Sequence, residues 1–304
     1  MNDQAAGLTA IVLGSAAGGG FPQWNCGCRL CNLVRSGDPR VRPATQASVA
    51  FSGDGKSWVL VGASPDLRQQ ILQTERLAPR TPSRDSPISG VVLIGGDVDA
   101  IAGLLVLRER QNLSVFAPPK VLDMLSASRI FEVLDPDLVH RVEAAPLSPV
   151  QCGGGLTLTI LPMPGKAPLY LEDRSAVTVP IEPTYAALVQ ANGRSVIVAP
   201  ACAEITDAVR EQLRSADVLF FDGTLFRDDE MIAAGLGPKT GRRMGHVPIE
   251  GPDGTLARLA DLPCRRVFLH INNTNPIWLS DSPERQAVER GGFEVAYDGM
   301  EIRL

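Results

Sequence analysis

The chain has 304 residues, 44% of them hydrophobic and 21% charged, with a formal net charge of −5. That composition supplies a sizeable core and gives no strongly basic face for a nucleic-acid partner. No apolar run approaches the ~20 residues of a membrane helix, and MNDQAAGLTA opens with an acid where a signal peptide would be basic, so membrane insertion is excluded and the cytoplasm is the expected location.

In chain order, the first predicted strand is LTAIVLG (8–14). The glycine-rich GSAAGGGFPQW (14–24) and the cysteine-rich WNCGCRLCN (24–32) follow. Strands ASVAFS (47–52) and WVLVGA (58–63) flank a hairpin loop, SGDGKS. PDLRQQILQT (65–74) reads as a helix with Pro65 in its first turn and Ser64 as its cap. LAPRTPSRDSP (77–87) is a surface loop. Strand GVVLIG (90–95) leads to the helix DAIAGLLVLRER (99–110), and LTLTIL (156–161) is the next strand. ANGR (191–194) makes a tight turn into strand SVIVAP (195–200), and helix ITDAVREQLRSA (205–216) precedes strand VLFFDG (218–223). Strand RVFLHI (266–271), helix SPERQAVERGG (282–292) and strand EVAYDG (294–299) complete the series. Hairpins with helices at intervals suit one domain, residues 1–304, of two packed sheets flanked by helices, better than an alternating βαβ fold.

Of six cysteines, Cys26, Cys28 and Cys31 are clustered, while Cys152, Cys202 and Cys264 stand alone and read as core residues. Zinc takes soft thiolates in tetrahedral geometry, and Cys-x-Cys-x-x-Cys can fold three around one ion, a structural role. The glycine run lacks the Gly-Lys-Ser/Thr of a phosphate loop and reads as a close-packed backbone turn. Asp97 and Asp99 stand where a strand gives way to a helix; a cap is the simpler role, metal ligation at the sheet edge the functional one. Asp222 and His270 each end an apolar strand, where an unpaired polar tip is expensive to bury. KTGRRMGH (239–246) gathers Lys239, Arg242, Arg243 and His246 in a glycine-bounded loop. It is either a solvated charged loop or an anion-recognising one with a proton-carrying histidine.

Together GSAAGGGFPQWNCGC, GKAPLY (165–170), DGTLFRDDEM (222–231), KTGRRMGH, HINNTNP (270–276) and SPERQAVE with VAYDGMEI resemble the coenzyme PQQ biosynthesis protein B family, from about Ile11 to Leu304. The resemblance implies a metallo-β-lactamase-like fold, a four-layer αββα sandwich. It implies a structural Zn2+ on Cys26, Cys28 and Cys31. Related hydrolases with this cysteine pattern draw a fourth ligand three residues after the last active-site His, here Asn273. In the active site the resemblance implies Asp99, Asp222 and His270 as ligands, with His246 as acid or base. Ala100 stands where the fold has a His, so a two-zinc hydrolase site is broken. The family would use Fe2+ and O2 to hydroxylate the tyrosine of a Glu–Tyr unit cut from a precursor peptide, with Arg242 and Arg243 clamping carboxylates. Other proteins of PQQ biosynthesis are the implied partners. Two further readings are a carrier taking PQQ or its precursor toward the periplasm, and a metal-dependent hydrolase of the parent fold.

Overall fold

The computed structural model describes residues 7–172 and 182–304; the acidic opening residues lie outside these. The first half of the chain forms β1 (Thr9–Gly14), β2 (Ser48–Ser52), β3 (Trp58–Val61), β4 (Ile88–Val92), β5 (Leu113–Ala117) and β6 (Val139–Glu143). The second half forms β7 (Val150–Gln151), β8 (Thr157–Gly165), β9 (Glu182–Ala191), β10 (Arg194–Ala199), β11 (Val218–Asp222), β12 (Arg265–Leu269) and β13 (Phe293–Val295), and β14 (Glu301–Arg303) ends the chain. They pair into two seven-stranded sheets, in the orders β14-β1-β2-β3-β4-β5-β6 and β13-β12-β11-β10-β9-β8-β7. Both are mixed: in the first, β1 pairs antiparallel with β2 and β14 while β3 to β6 run parallel, and in the second, β8, β9 and β10 pair antiparallel while β10 to β13 run parallel.

Helices are short: α1 (Arg29–Arg35), α2 (Leu67–Gln73), α3 (Val98–Ile101), α4 (Pro119–Ala127), α5 (Asp207–Leu213), α6 (Glu230–Ala233), α7 (Thr255–Arg258) and α8 (Pro283–Arg290). One core gathers Val49, Phe51, Leu158, Val198 and Phe220 from the two sheets, with Leu67 of α2 and Val121 of α4. A second packs Leu213 of α5, Leu259 beside α7 and Val288 of α8 against Leu219, Phe221 and Phe268. Helices thus cover the outer face of each sheet, giving the expected four layers. Strands β2 and β11 are buried at every position because layers lie on both sides of them. No helix among the described residues is long and apolar enough to cross a membrane.

Several expectations are corrected by packing. Ser64 does not cap α2: its hydroxyl bonds Gln70 Oε1 at 3.1 Å, and Asp66 at the cap position spends Oδ2 on Gln46. The helix expected over 99–110 stops at Ile101 and tightens to a 3₁₀ stretch over Ala102–Leu107. Gly103 lies so near Ser64 O that a Cβ would come within 2.2 Å of it, so this segment is pressed against the entry to α2. EVAYDG is strand only to Val295; Asp298 turns back and accepts hydrogen bonds from Ser15 Oγ and from Thr45 N and Oγ1. The glycine run is the expected turn, with Gly19 and Gly20 at positive φ. Ala16 beside it bridges to both Gln46 and Ile271, joining the N-terminal loop to the end of β12.

Candidate metal centres

The first centre is built on the start of α1. Cys28 occupies the cap position, and its sulfur accepts from Cys31 N at 3.5 Å. Cys26 accepts from Cys28 N at 3.4 Å, so a tight turn brings the three sulfurs within 4.8 Å of one another. Arg35 closes the loop from behind, donating to Cys26 O and Gln23 O. Asn273 arrives from the loop after β12. Its Nδ2 lies 3.2, 3.8 and 3.4 Å from the sulfurs of Cys26, Cys28 and Cys31. That loop is pinned against the N-terminal segment by Trp278, which stacks on Phe21 at 4.8 Å and donates Nε1–H to Asn272 O. Burial and the neighbouring thiols push Cys28 up to about 11. Burial also acts to raise Cys26, but hydrogen bonds from Cys28, Cys31 and Asn273 outweigh it and leave this thiol lowered. One thiolate is welcome and the next is resisted, as expected of a sulfur cluster that needs a cation to carry all three.

The second centre lies between the carboxyl ends of β11 and β12. Asp222, fully buried, accepts from Cys202 N at 3.0 Å and faces His246 Nδ1 at 2.8 Å with the same oxygen, Oδ2. Its Oδ1 accepts from Thr224 N and Oγ1. Thr224 Oγ1 is also 3.0 Å from His246 Nδ1 and 2.9 Å from His270 Nδ1, so one hydroxyl touches all three side chains. The imidazoles stack at 5.3 Å. Asp222, His246 and His270 have donor atoms within 4.8 Å of one another. Asp99 joins through His270, whose Nε2 is 3.0 Å from Asp99 Oδ2. Burial favours the neutral imidazole of His270, but the hydrogen bond and charge of Asp99 outweigh it and raise its pKa. Burial, with Asp99 alongside, raises Asp97.

His270 holds φ +58°, a left-handed conformation costly for a non-glycine residue. That conformation, which costs on the order of 1 kcal/mol or more, goes with a side chain directed at Asp99, Nε2 to Oδ2 3.0 Å. Gly223 N donates to Leu269 O, and Asn272 N donates to Thr224 O, which hold the turn.

A cavity of about 160 Å³ opens beside this cluster, lined by Asp97, Asp99, His246 and His270 and walled by apolar groups including Ile94 and Tyr185. Ala100 is among its lining residues. The loop expected to recognise anions divides. Arg242 is exposed and lines a separate surface depression with Asp207, Asp253 and Arg258, and it is not among the residues lining the cavity. Arg243 points instead at Glu172, 3.9 Å away. Sequence reasoning missed Thr224 and Lys166. Both lie inside segments that carry the resemblance, DGTLFRDDEM and GKAPLY, but no residue-type pattern marks either one as a site residue.

A family model described as a beta-lactamase superfamily domain matches residues 57–271. Coenzyme PQQ synthesis protein B of Methylobacterium nodulans is 49% identical, covering 98% of this chain and 100% of its own. That of Rhizobium meliloti is 50% identical, covering 99% and 100%. The crystal structure of Zn(2+)-bound PqqB from Methylobacterium extorquens superposes with a TM-score of 0.94 at 46% identity, over 97% of this chain and 100% of the other. A diphosphatase of the PhnP family, at 20% identity and TM-score 0.69 over 98% and 97%, shares the fold.

Proposed function

The chain belongs to the coenzyme PQQ synthesis protein B family, on the beta-lactamase superfamily fold, and from that premise we propose that it acts in PQQ biosynthesis by hydroxylating the tyrosine ring of a Glu–Tyr precursor. The observation that carries the reading is the cluster of two histidines and a carboxylate that, among the described residues, lies beside the 160 Å³ cavity.

Two histidines with one carboxylate is the donor set of non-haem Fe(II) oxygenases. Position 100 cannot contribute, but His246 stands in the cluster and supplies the second imidazole. Asp222, His246 and His270 would hold the iron, and Asp99 would orient His270 through Nε2. Iron bound there would supply the activation of O2. The walls then position the substrate: an apolar cavity of about 150 Å³ accommodates one benzene ring, so this one suits a single phenol. A binuclear hydrolase is disfavoured by its donors. The chain has three histidines, and the one outside the site, His140, lies exposed on β6.

Structural zinc belongs to the other centre. Vertices of a tetrahedron with bonds of about 2.1–2.3 Å lie about 3.6 Å apart, close to the separations between Asn273 Nδ2 and the sulfurs. Half a turn of the amide would present Oδ1 as the fourth ligand.

A carrier role is favoured by one feature: Ala100, among the cavity-lining residues, offers no metal donor. The test is to load the chain with Zn(II) and Fe(II), count both metals, and add the Glu–Tyr dipeptide with O2. One zinc, one iron and a ring-hydroxylated product are expected. One zinc, no iron and tight binding of PQQ would establish the carrier instead.

A further inference from the structure

Lys166 is the one lysine or arginine among the residues lining the cavity. It follows β8, and its stem lies along Gly245, where a Cβ would come within 3.0 Å of Lys166 Cγ. Its ammonium is 2.8 Å from Glu172 Oε1, while Lys239 Nζ is 3.0 Å from Glu172 Oε2 and Arg243 Nη1 is 3.9 Å from that oxygen. The Glu172 side chain is only 7% exposed. Three cations therefore surround one carboxylate. Asp97, across the cavity lining, also feels the charge of Lys166. Arg243 Nη1 is buried and completes no hydrogen bond among the described residues, and Glu172 Oε1, although ion-paired to Lys166, completes none either. A guanidinium fork with an open donor next to two ammonium groups is suited to a second planar anion.

We propose that Lys166, Lys239 and Arg243 form a carboxylate-docking subsite at the mouth of the cavity, and that Glu172 is its internal occupant, which a carboxylate of the incoming ligand displaces or joins. The slot is carboxylate-sized because a carboxylate already sits in it. A ligand with its ring in the cavity and an acidic arm reaching Lys166 would use both features. The ligand class is thus an aromatic body bearing one or more carboxylates. This rests on the reading of the cavity as a substrate site and adds how the acidic part is recognised.

The test measures affinity and chemistry separately. Calorimetric Kd values are taken on the metal-loaded full chain for the Glu–Tyr dipeptide, its bis-amide and PQQ. For at least one of the acids, Lys166→Met should weaken binding about tenfold or more and Lys239→Met by a few-fold, while Lys166→Arg stays within about threefold of wild type. Glu172→Gln should tighten it several-fold, because the competing anion is gone. The bis-amide should bind weakly to every variant. Acids that bind all folded variants within twofold of wild type, or neither acid binding wild type, would overturn the subsite. Hydroxylated product is assayed in the same samples. Affinities that move as stated without product keep the subsite and remove the hydroxylase; product with unmoved affinities does the reverse.

Discussion

Asn273 and His270 lie three residues apart and serve different centres, which makes each separately testable. Asn273→Ala removes the amide that touches all three sulfurs; zinc affinity should fall on the order of 10–100-fold in a chelator competition, with the iron count unchanged. His246→Ala and His270→Ala should each abolish iron binding and ring hydroxylation while one zinc is retained. Unchanged turnover in either would remove that histidine from the donor set. Glu230 carries a pH prediction. Burial pushes it up to about 7 although Thr274 Oγ1 and Phe226 N donate to it. An unfolded glutamate titrates near 4.5, so between these values the folded chain keeps a proton that the unfolded chain has lost. The stability this gives is complete below the unfolded value and is lost as pH rises through 7, by no more than about 3 kcal/mol. Urea denaturation from pH 5 to 8 should show that decline in the wild type and a flatter profile in Glu230→Gln.

Among the elements, α8 is the one whose beginning is most plainly written in the chain. Ser282 caps it, accepting from Arg285 N at 3.0 Å, and Pro283 occupies the first turn. Ser282→Ala should destabilise the fold by about 1 kcal/mol, read as a shift of the urea midpoint at unchanged slope. Pro162 and Pro164 suggest that the strand starting at 156 ends by Leu161, yet β8 runs on to Gly165. The prolines pair only with β9, at Tyr185 and Pro183. β7 pairs with no residue beyond Leu158, and Pro164 O accepts instead from Ala203 N, so no ladder strand there calls for the N–H groups the prolines lack. β6 escaped notice because His140, Arg141 and Glu143 interrupt its apolar pattern at the sheet edge, where burial demands little. α1 was hidden inside the cysteine motif, whose ligand spacing is also the spacing of a helix start.

For the molecule as a whole, the N-terminal loop is tied to the second sheet through sulfur, Asn273 and the Phe21–Trp278 stack. Stripping zinc with a strong chelator should lower the melting temperature and open the chain to trypsin at Arg29 and Arg35. It should also add three fast-reacting thiols in a colorimetric titration. Cys152 and Cys202 should stay silent until global unfolding, since burial pushes both thiols up to about 12. Cys-x-Cys-x-x-Cys, the apolar strand runs and the acid or histidine at two strand ends are local patterns, so the sequence by itself determined the sandwich, the sulfur cluster and the polar pair Asp222 and His270. Only the tertiary structure decided that His246 stands with that pair, that Asp99 reaches it through His270, and that Arg243 faces Glu172 while Arg242 turns away. Those relations join residues 22 to 171 positions apart. They arise from how the two sheets and their loops pack, which no periodicity along the chain records.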